Sequence, residues 1–330
     1  MAQVASEPIA GPGLAPEAAP GEPSAQVVGR SPWQLFWRRF RQDKFAFAGI
    51  VVIALMVAIA FSAPLTARVT HHGPNDPFIY ETLDEFGLPK GPNGQFFFGS
   101  DTAGRDLFVR VVYGARTSLM VAFFATGISV VIGVIMGLLA GYKGGKIDTF
   151  VSRVIDIVMS LPILLLALGL VAACGASKVG CLGGLIKPGL LLVSLVIGLF
   201  NWPYIARIVR GQALSLREKE FVEAARAQGS GDLRIIFREV LPNVVAPIIV
   251  YTTLIIPNNI LFEAALSFLG IGVPITIPSW GKMLAEAGQG IFVVAWWMMV
   301  FPGLFLFMTT LAFNLVGDGL RDALDPRTGR

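Results

Sequence analysis

Apolar residues gather along the chain into six blocks, at 45–65, 119–141, 155–172, 189–208, 244–268 and 291–316, separated by stretches rich in Gly, Pro and charge. Each block holds about 20 residues, enough at ~1.5 Å per residue to cross a ~30 Å hydrocarbon layer. The pattern predicts an all-α membrane protein with six transmembrane helices. The first, second and sixth blocks are clean. The third carries Arg153 and Asp156 near its start, spaced to pair on one helix face. The fourth and fifth are interrupted by Asn201, Pro203, Pro257, Asn258 and Asn259. Composition agrees, with 54% of 330 residues hydrophobic and 15% charged, against about 25% charged in soluble domains.

The first 34 residues, rich in Ala, Pro, Gly and Glu, have no apolar run and read as a disordered tail. They lack the basic start and apolar stretch of a secretory signal, so the tail is expected to stay in the cytoplasm. With the N-terminus inside, 18 of the 26 Lys and Arg fall on the cytoplasmic side and 8 outside, which obeys the positive-inside rule. The cluster WRRFRQDK, residues 37–44, abuts the first span and reinforces this topology, with both termini cytoplasmic. The net charge of +4 then reflects topology: no basic stripe suits nucleic acid. Residues 35–117 are expected to hold the first span, an external loop and an interfacial helix, and residues 118–330 the core transmembrane domain.

Ser100-Asp101 reads as the cap of a helix bearing Arg105, Arg110 and Arg116 among Leu107, Phe108, Val111 and Val112, lying on the outer surface and leading into the second span. Cys174 and Cys181 bracket GASKVG in an outer loop, where a disulfide persists; two free thiols are the alternative. No metal site is expected: two thiolates fall short of four ligands, and the adjacent His71 and His72 read as solvated loop. Pro257 breaks the ladder of the fifth span, and its freed carbonyls must face protein or a water-filled cavity. Pro257, Asn258, Asn259 and Glu263 are thus candidates for a translocation path. Helix packing is the alternative for the Asn pair, and a satisfied structural carboxylate near the outer interface for Glu263. GYKGGK, residues 141–146, lacks the P-loop frame, and no catalytic triad or metalloprotease spacing is present, so a non-catalytic chain is expected.

The segment LREKEFVEAARAQGSGDLRIIFREVLPN, residues 216–243, precedes the fifth span. Strong helix formers run to Gln228, Gly229 suits a left-handed helix stop, and Asp232 can cap a second helix through Val240. Pro242 is expected to end that helix and return the chain to the membrane. The product is a helix–turn–helix on the cytoplasmic face. It either docks a partner or lies at the lipid interface.

Glu223-Ala224-Ala225, Gly229 and Leu241-Pro242 at this spacing resemble the EAA loop of ABC importer membrane subunits. FGSDTAGRDLFVRVVYGARTSL (98–119), RVIDIVMSLP (153–162), EAALSFLGIGVPITIPSWGKML (263–284) and FNLVGDGLRDALDPR (313–327) resemble the dipeptide/oligopeptide permease group, its C-type subunit in particular. The resemblance covers residues 35–330, apart from the insert 174–188. It implies a type I (MetI-like) transmembrane domain in a multi-pass subunit of the bacterial inner membrane. The loop 216–243 would couple to ATPases through Glu223, Ala224, Ala225, Gly229, Arg234, Glu239, Leu241 and Pro242. Glu239 stands where relatives often have His.

Implied partners are a second, homologous permease, two cytoplasmic ATPases holding ATP and Mg, an external substrate-binding protein that the Ser100–Arg116 region could receive, and lipid. No cofactor is expected on this chain. Short peptides are the implied cargo, with nickel chelates, haem or another small solute as alternatives. An ion-coupled secondary transporter is the rival class, and it would need mid-span carboxylates and repeats.

Overall fold

The computed structural model describes residues 32–176, 186–274 and 276–324; the regular elements among them are helices, with three isolated β-bridges in the segment between the first two spans. A short amphipathic helix, α1 (Pro32–Gln42), leads into α2 (Lys44–Thr70), whose first turn is capped by the Asp43 carboxylate accepting from Phe45 N and Ala46 N. Phe40, Ala46 and Ala323 join α1 and α2 to the last helix, α12 (Trp297–Leu324). α3 (Ile79–Thr82) is a single turn in the segment that connects to α4 (Leu107–Lys143).

α4 is continuous, and three expectations are corrected here. A division at residue 117 would cut it, and no separate interfacial helix precedes the second span. Its cap is Asp106, whose carboxylate accepts from Phe108 N and Val109 N. Asp101 instead closes a turn by accepting from Ala103 N and Arg105 N, and Ser100 donates to Thr82 O. Arg110 does not lie on an outer surface: it is fully buried, with Asp101 3.1 Å and Glu286 3.7 Å away. Those carboxylates neutralise it, and α4 can therefore begin a dozen residues before the apolar block does.

The third span is also revised. α5 (Gly145–Ser160) and α6 (Ile163–Ala176) meet at 84° around Leu161-Pro162. The proline cannot donate to the helix ladder, and it restricts Leu161 to extended backbone. Asp156 pairs with Arg207 of α7 (Leu190–Leu216), not with Arg153, and Asp148 makes a bidentate pair with Arg210. Among the described residues five helices are long and apolar enough to cross a membrane, or six if the bent pair is one span.

α4 and α7 pack through small residues. A Cβ on Gly137 would lie 2.7 Å from Ala206 O, one on Gly141 2.6 Å from Arg210 O, and one on Gly133 2.8 Å from Trp202 O. Glycines four apart let two backbones approach closely, the way helices associate when lipid gives no hydrophobic drive.

After α8 (Glu220–Ala227) come α9 (Asp232–Ile235), a π-helical segment Ile236–Val240 and α10 (Leu241–Phe268), which together form one 37-residue helix from Asp232 to Phe268. Pro242 thus does not end a helix. The π turn takes up the residue whose N–H is missing, and Pro242 sits within the first turn of α10. α11 (Trp280–Gly288) closes the opposite end. There Trp280 Nε1 donates to Val111 O, and Trp297 Nε1 donates to Ser100 O.

His72 is not solvated loop. It is buried, stacked on Phe96, with Nδ1 2.6 Å from Asp106 Oδ2. His72→Ala leaves the buried cap carboxylate of α4 short of a partner. We expect a loss of about 1–3 kcal/mol, read as a lower melting temperature of the detergent-solubilised protein by tryptophan fluorescence.

Candidate functional site

The surface built by residues 220–242 starts from local sequence. α8 buries Val222 against Ile235, Ile236, Val240, Val244 and Ala213. Its C-terminus is a Schellman motif: Ser230 N donates to Ala225 O and Gly229 N to Arg226 O, with Gly229 at φ +77. Gly229 therefore acts as the left-handed stop that the sequence predicts. Asp232 does not cap α9, since Gly231 occupies that position. Its carboxylate instead meets Lys143 Nζ at 2.9 Å and Tyr142 Oη at 3.3 Å. The Arg226 guanidinium lies 5.2 Å from the Tyr142 ring centroid, and the Tyr142 hydroxyl holds it above its usual range. These contacts pin the helix–turn–helix to the end of α4.

Of the residues singled out by sequence, Glu223, Ala224, Gly229, Arg234 and Pro242 are exposed, whereas Ala225, Glu239 and Leu241 are half-buried. Ala225 and Leu241 pack against the core beneath, and Glu239 offers its backbone oxygen to Asn243 Nδ2. Leu233 and Phe237, 66% and 59% exposed, were missed. With Arg234 and Arg238 they present an i,i+4 apolar pair beside an i,i+4 basic pair on one turn of helix. Their signal was in the sequence, as apolar residues outside any stripe that α9 could bury.

The second feature is a cavity of about 630 Å³ between α6, α7 and α10, half open at the side, with Asn201, Tyr204, Tyr251, Leu254, Asn258 and Phe262 in its wall. Asn258, exposed in that wall, donates its amide to Leu254 O. The other three path candidates lie outside this lining, and Asn259 and Glu263 take the packing and structural-carboxylate alternatives. Pro257 is buried and outside the lining. Asn259 is fully buried, donating to Thr126 Oγ1 and accepting from Asn201 Nδ2 at 2.7 Å. Glu263 is fully buried and accepts from Ser118 Oγ at 2.9 Å and Ser267 Oγ at 2.7 Å, so it ties α10 to α4. Asn201, Tyr204 and Tyr251 were not recognisable as lining, because only the fold brings α7 and α10 together. Cys174 is buried at the end of α6, and Cys181 lies outside the described residues.

Comparison with known proteins gives this geometry a context. The family model described as binding-protein-dependent transport system inner membrane component matches residues 103–330, and the N-terminal TM domain of oligopeptide transport permease C matches residues 31–84. The chain is 40% identical to the dipeptide transport system permease protein DppC of Alkalihalophilus pseudofirmus, over 96% of this chain and 97% of that one. It is 40% identical to the oligopeptide transport system permease protein OppC of Haemophilus influenzae, over 92% and 91%. To the glutathione transport system permease protein GsiD of Escherichia coli O157:H7 it is 41% identical, over 90% and 91%. An inward-facing structure of the MetNI methionine ABC transporter shares the fold, with a TM-score of 0.52 and 20% identity, over 66% of this chain and 98% of that one.

Proposed function

The chain belongs to the family of binding-protein-dependent transport inner-membrane components, as a non-catalytic permease of the peptide, oligopeptide and glutathione ABC importers, and from that premise we propose that it carries short peptides across the bacterial inner membrane. The Leu233–Phe237 surface is the observation that carries the coupling part of this reading. It is an exposed apolar and basic turn on the same rigid helix that passes the cavity wall. Two ATPase subunits bind there and on the matching loop of a second permease, with Glu223 and Gly229 setting its charge and shape. Both termini and the 216–243 loop are cytoplasmic.

ATP-driven closure of the ATPases moves Asp232–Phe268 as a lever and opens the Asn258 cavity alternately to the two sides. A second permease closes the open flank of the cavity. An external binding protein delivers cargo to the opposite end. Arg105 and Arg110, engaged with Asp101 and Glu286, are committed internally. The exposed Tyr80 and Phe86 beside Asp84 and Glu85 offer the docking surface instead.

Glutathione, a tripeptide, fits the same cargo class as the dipeptides and oligopeptides in the relatives' names. Purification of the tagged chain in mild detergent, with crosslinking through Phe237→Cys, tests the reading. A second permease and an ATPase should be recovered, with the crosslink to the ATPase. Recovery of the chain alone would favour a stand-alone carrier. Asn258→Leu removes one hydrogen-bonding group from the cavity wall without touching the core. Uptake of a labelled dipeptide should fall roughly fivefold at unchanged membrane content.

A further inference from the structure

Arg116 is a charge that this reading leaves unused. It lies on α4 about 13 Å from Leu107 at ~1.5 Å per residue, within the stretch that enters the bilayer. Arg105 and Arg110 share Asp101 and Glu286. Among the described residues Arg116 has no ion-pair or hydrogen-bond partner, and it is exposed. A guanidinium at membrane depth needs an anion, or it must reach up to the headgroups along its own stem.

Arg116 sits at the head of a groove of about 490 Å³ between α2 and α4, where among the described residues it is the one charged lining residue. Below it on α4 come Met120, Phe123 and Phe124; across the groove on α2, Phe61 and then Val57 run in the same direction, away from the end at Thr70. The two helices are antiparallel and joined on the Arg116 side by residues 71–106, so polarity falls steadily with depth. An anionic head over apolar chains has the same order. The transport cavity is walled by α6, α7 and α10, none of which contributes to this groove, so the two openings are built by different helices.

We propose that the α2–α4 groove binds an anionic phospholipid of the leaflet next to residues 71–106, with its phosphodiester on Arg116 and an acyl chain between Phe61 and Phe123. Guanidinium and phosphate make short, charge-assisted, often bidentate hydrogen bonds, and apolar walls hold the chain.

Native mass spectrometry of the full chain with its co-purified subunits, titrated with phosphatidylglycerol or phosphatidylethanolamine after delipidation, tests this. Wild type should retain phosphatidylglycerol in preference, and Arg116→Gln should weaken it by at least about tenfold. Arg116→Lys should keep part of the affinity. Met120→Trp fills the groove while leaving the charge, and it should also expel the lipid; these two variants carry the test should Arg116→Gln fail to accumulate. No headgroup preference in wild type, or wild-type affinity in Arg116→Gln, overturns the proposal. So does a crosslink from Phe123→Cys to the second permease instead of to a photoactivatable acyl chain.

Discussion

Gly137→Leu will lower the amount of chain in the membrane at least about tenfold, through helix packing alone. The Cβ would stand 2.7 Å from Ala206 O and 2.8 Å from Val209 Cβ, so backbone is among the atoms that must move. Overpacking of this kind costs about 1–3 kcal/mol where neighbours can shift, and a leucine meeting a carbonyl and a branched side chain belongs at or above the upper end. Gly127→Leu is the matched control. It lies on the same helix with nothing within 4 Å of its Cβ position, so the same residue should be tolerated there. Immunoblotting of membranes separates the cases. Normal accumulation of Gly137→Leu would show that α4 and α7 do not meet at this point.

The second large effect concerns activity at normal abundance. Gly229→Val should reduce peptide uptake at least about tenfold, since an L-residue in the left-handed region costs about 1–2 kcal/mol and a β-branched one more. The Cβ meets no neighbour, so the penalty is purely conformational. Gly229→Asn, which tolerates that region, should retain most uptake. Glu223→Lys inverts an exposed charge and leaves the fold alone, and like-charge contact across an interface costs several kcal/mol. Its uptake should drop by about two orders of magnitude, with loss of the co-purifying ATPase. Wild-type uptake in both Gly229→Val and Glu223→Lys would remove residues 216–243 from the coupling role.

The locations of the apolar blocks were legible because bilayer thickness imposes a length on them. Their ends were less so, for reasons visible in particular residues. α4 starts at Leu107 and not near Leu119 because Arg110 finds Asp101 and Glu286, the latter 176 positions away in the chain. The break at Pro162 had a local signal, yet the uniformly apolar stretch around it hid the change of direction. Pro242 carries the local mark of a helix stop, but a π turn one step earlier absorbs it.

In the site, Gly229 could be placed from sequence because a helix stop is a local decision. The partners of Asp232 and Asn259, and Ser118 for Glu263, come from α4 and α7, and no spacing along the chain announces them; Ser267, four residues on in α10, is the local partner of Glu263. Asn258 and Asn259 are neighbours in sequence with opposite fates, one in the cavity and one sealed between helices. Helical rotation of about 100° per residue separates them.

The close seam between α4 and α7 also has a consequence for biogenesis. Gly137 and Ala206 are about 70 residues apart, so at ~5–20 residues per second α4 is complete several seconds before its partner emerges from the ribosome. During that interval a glycine-lined face with thinly covered backbone stands in the membrane unpaired. The nascent chain is then most open to an insertase, to quality-control proteases and to pairing with the wrong helix. Slowing translation between α4 and α7 should therefore lower the yield of this protein more than the same pause placed after α7.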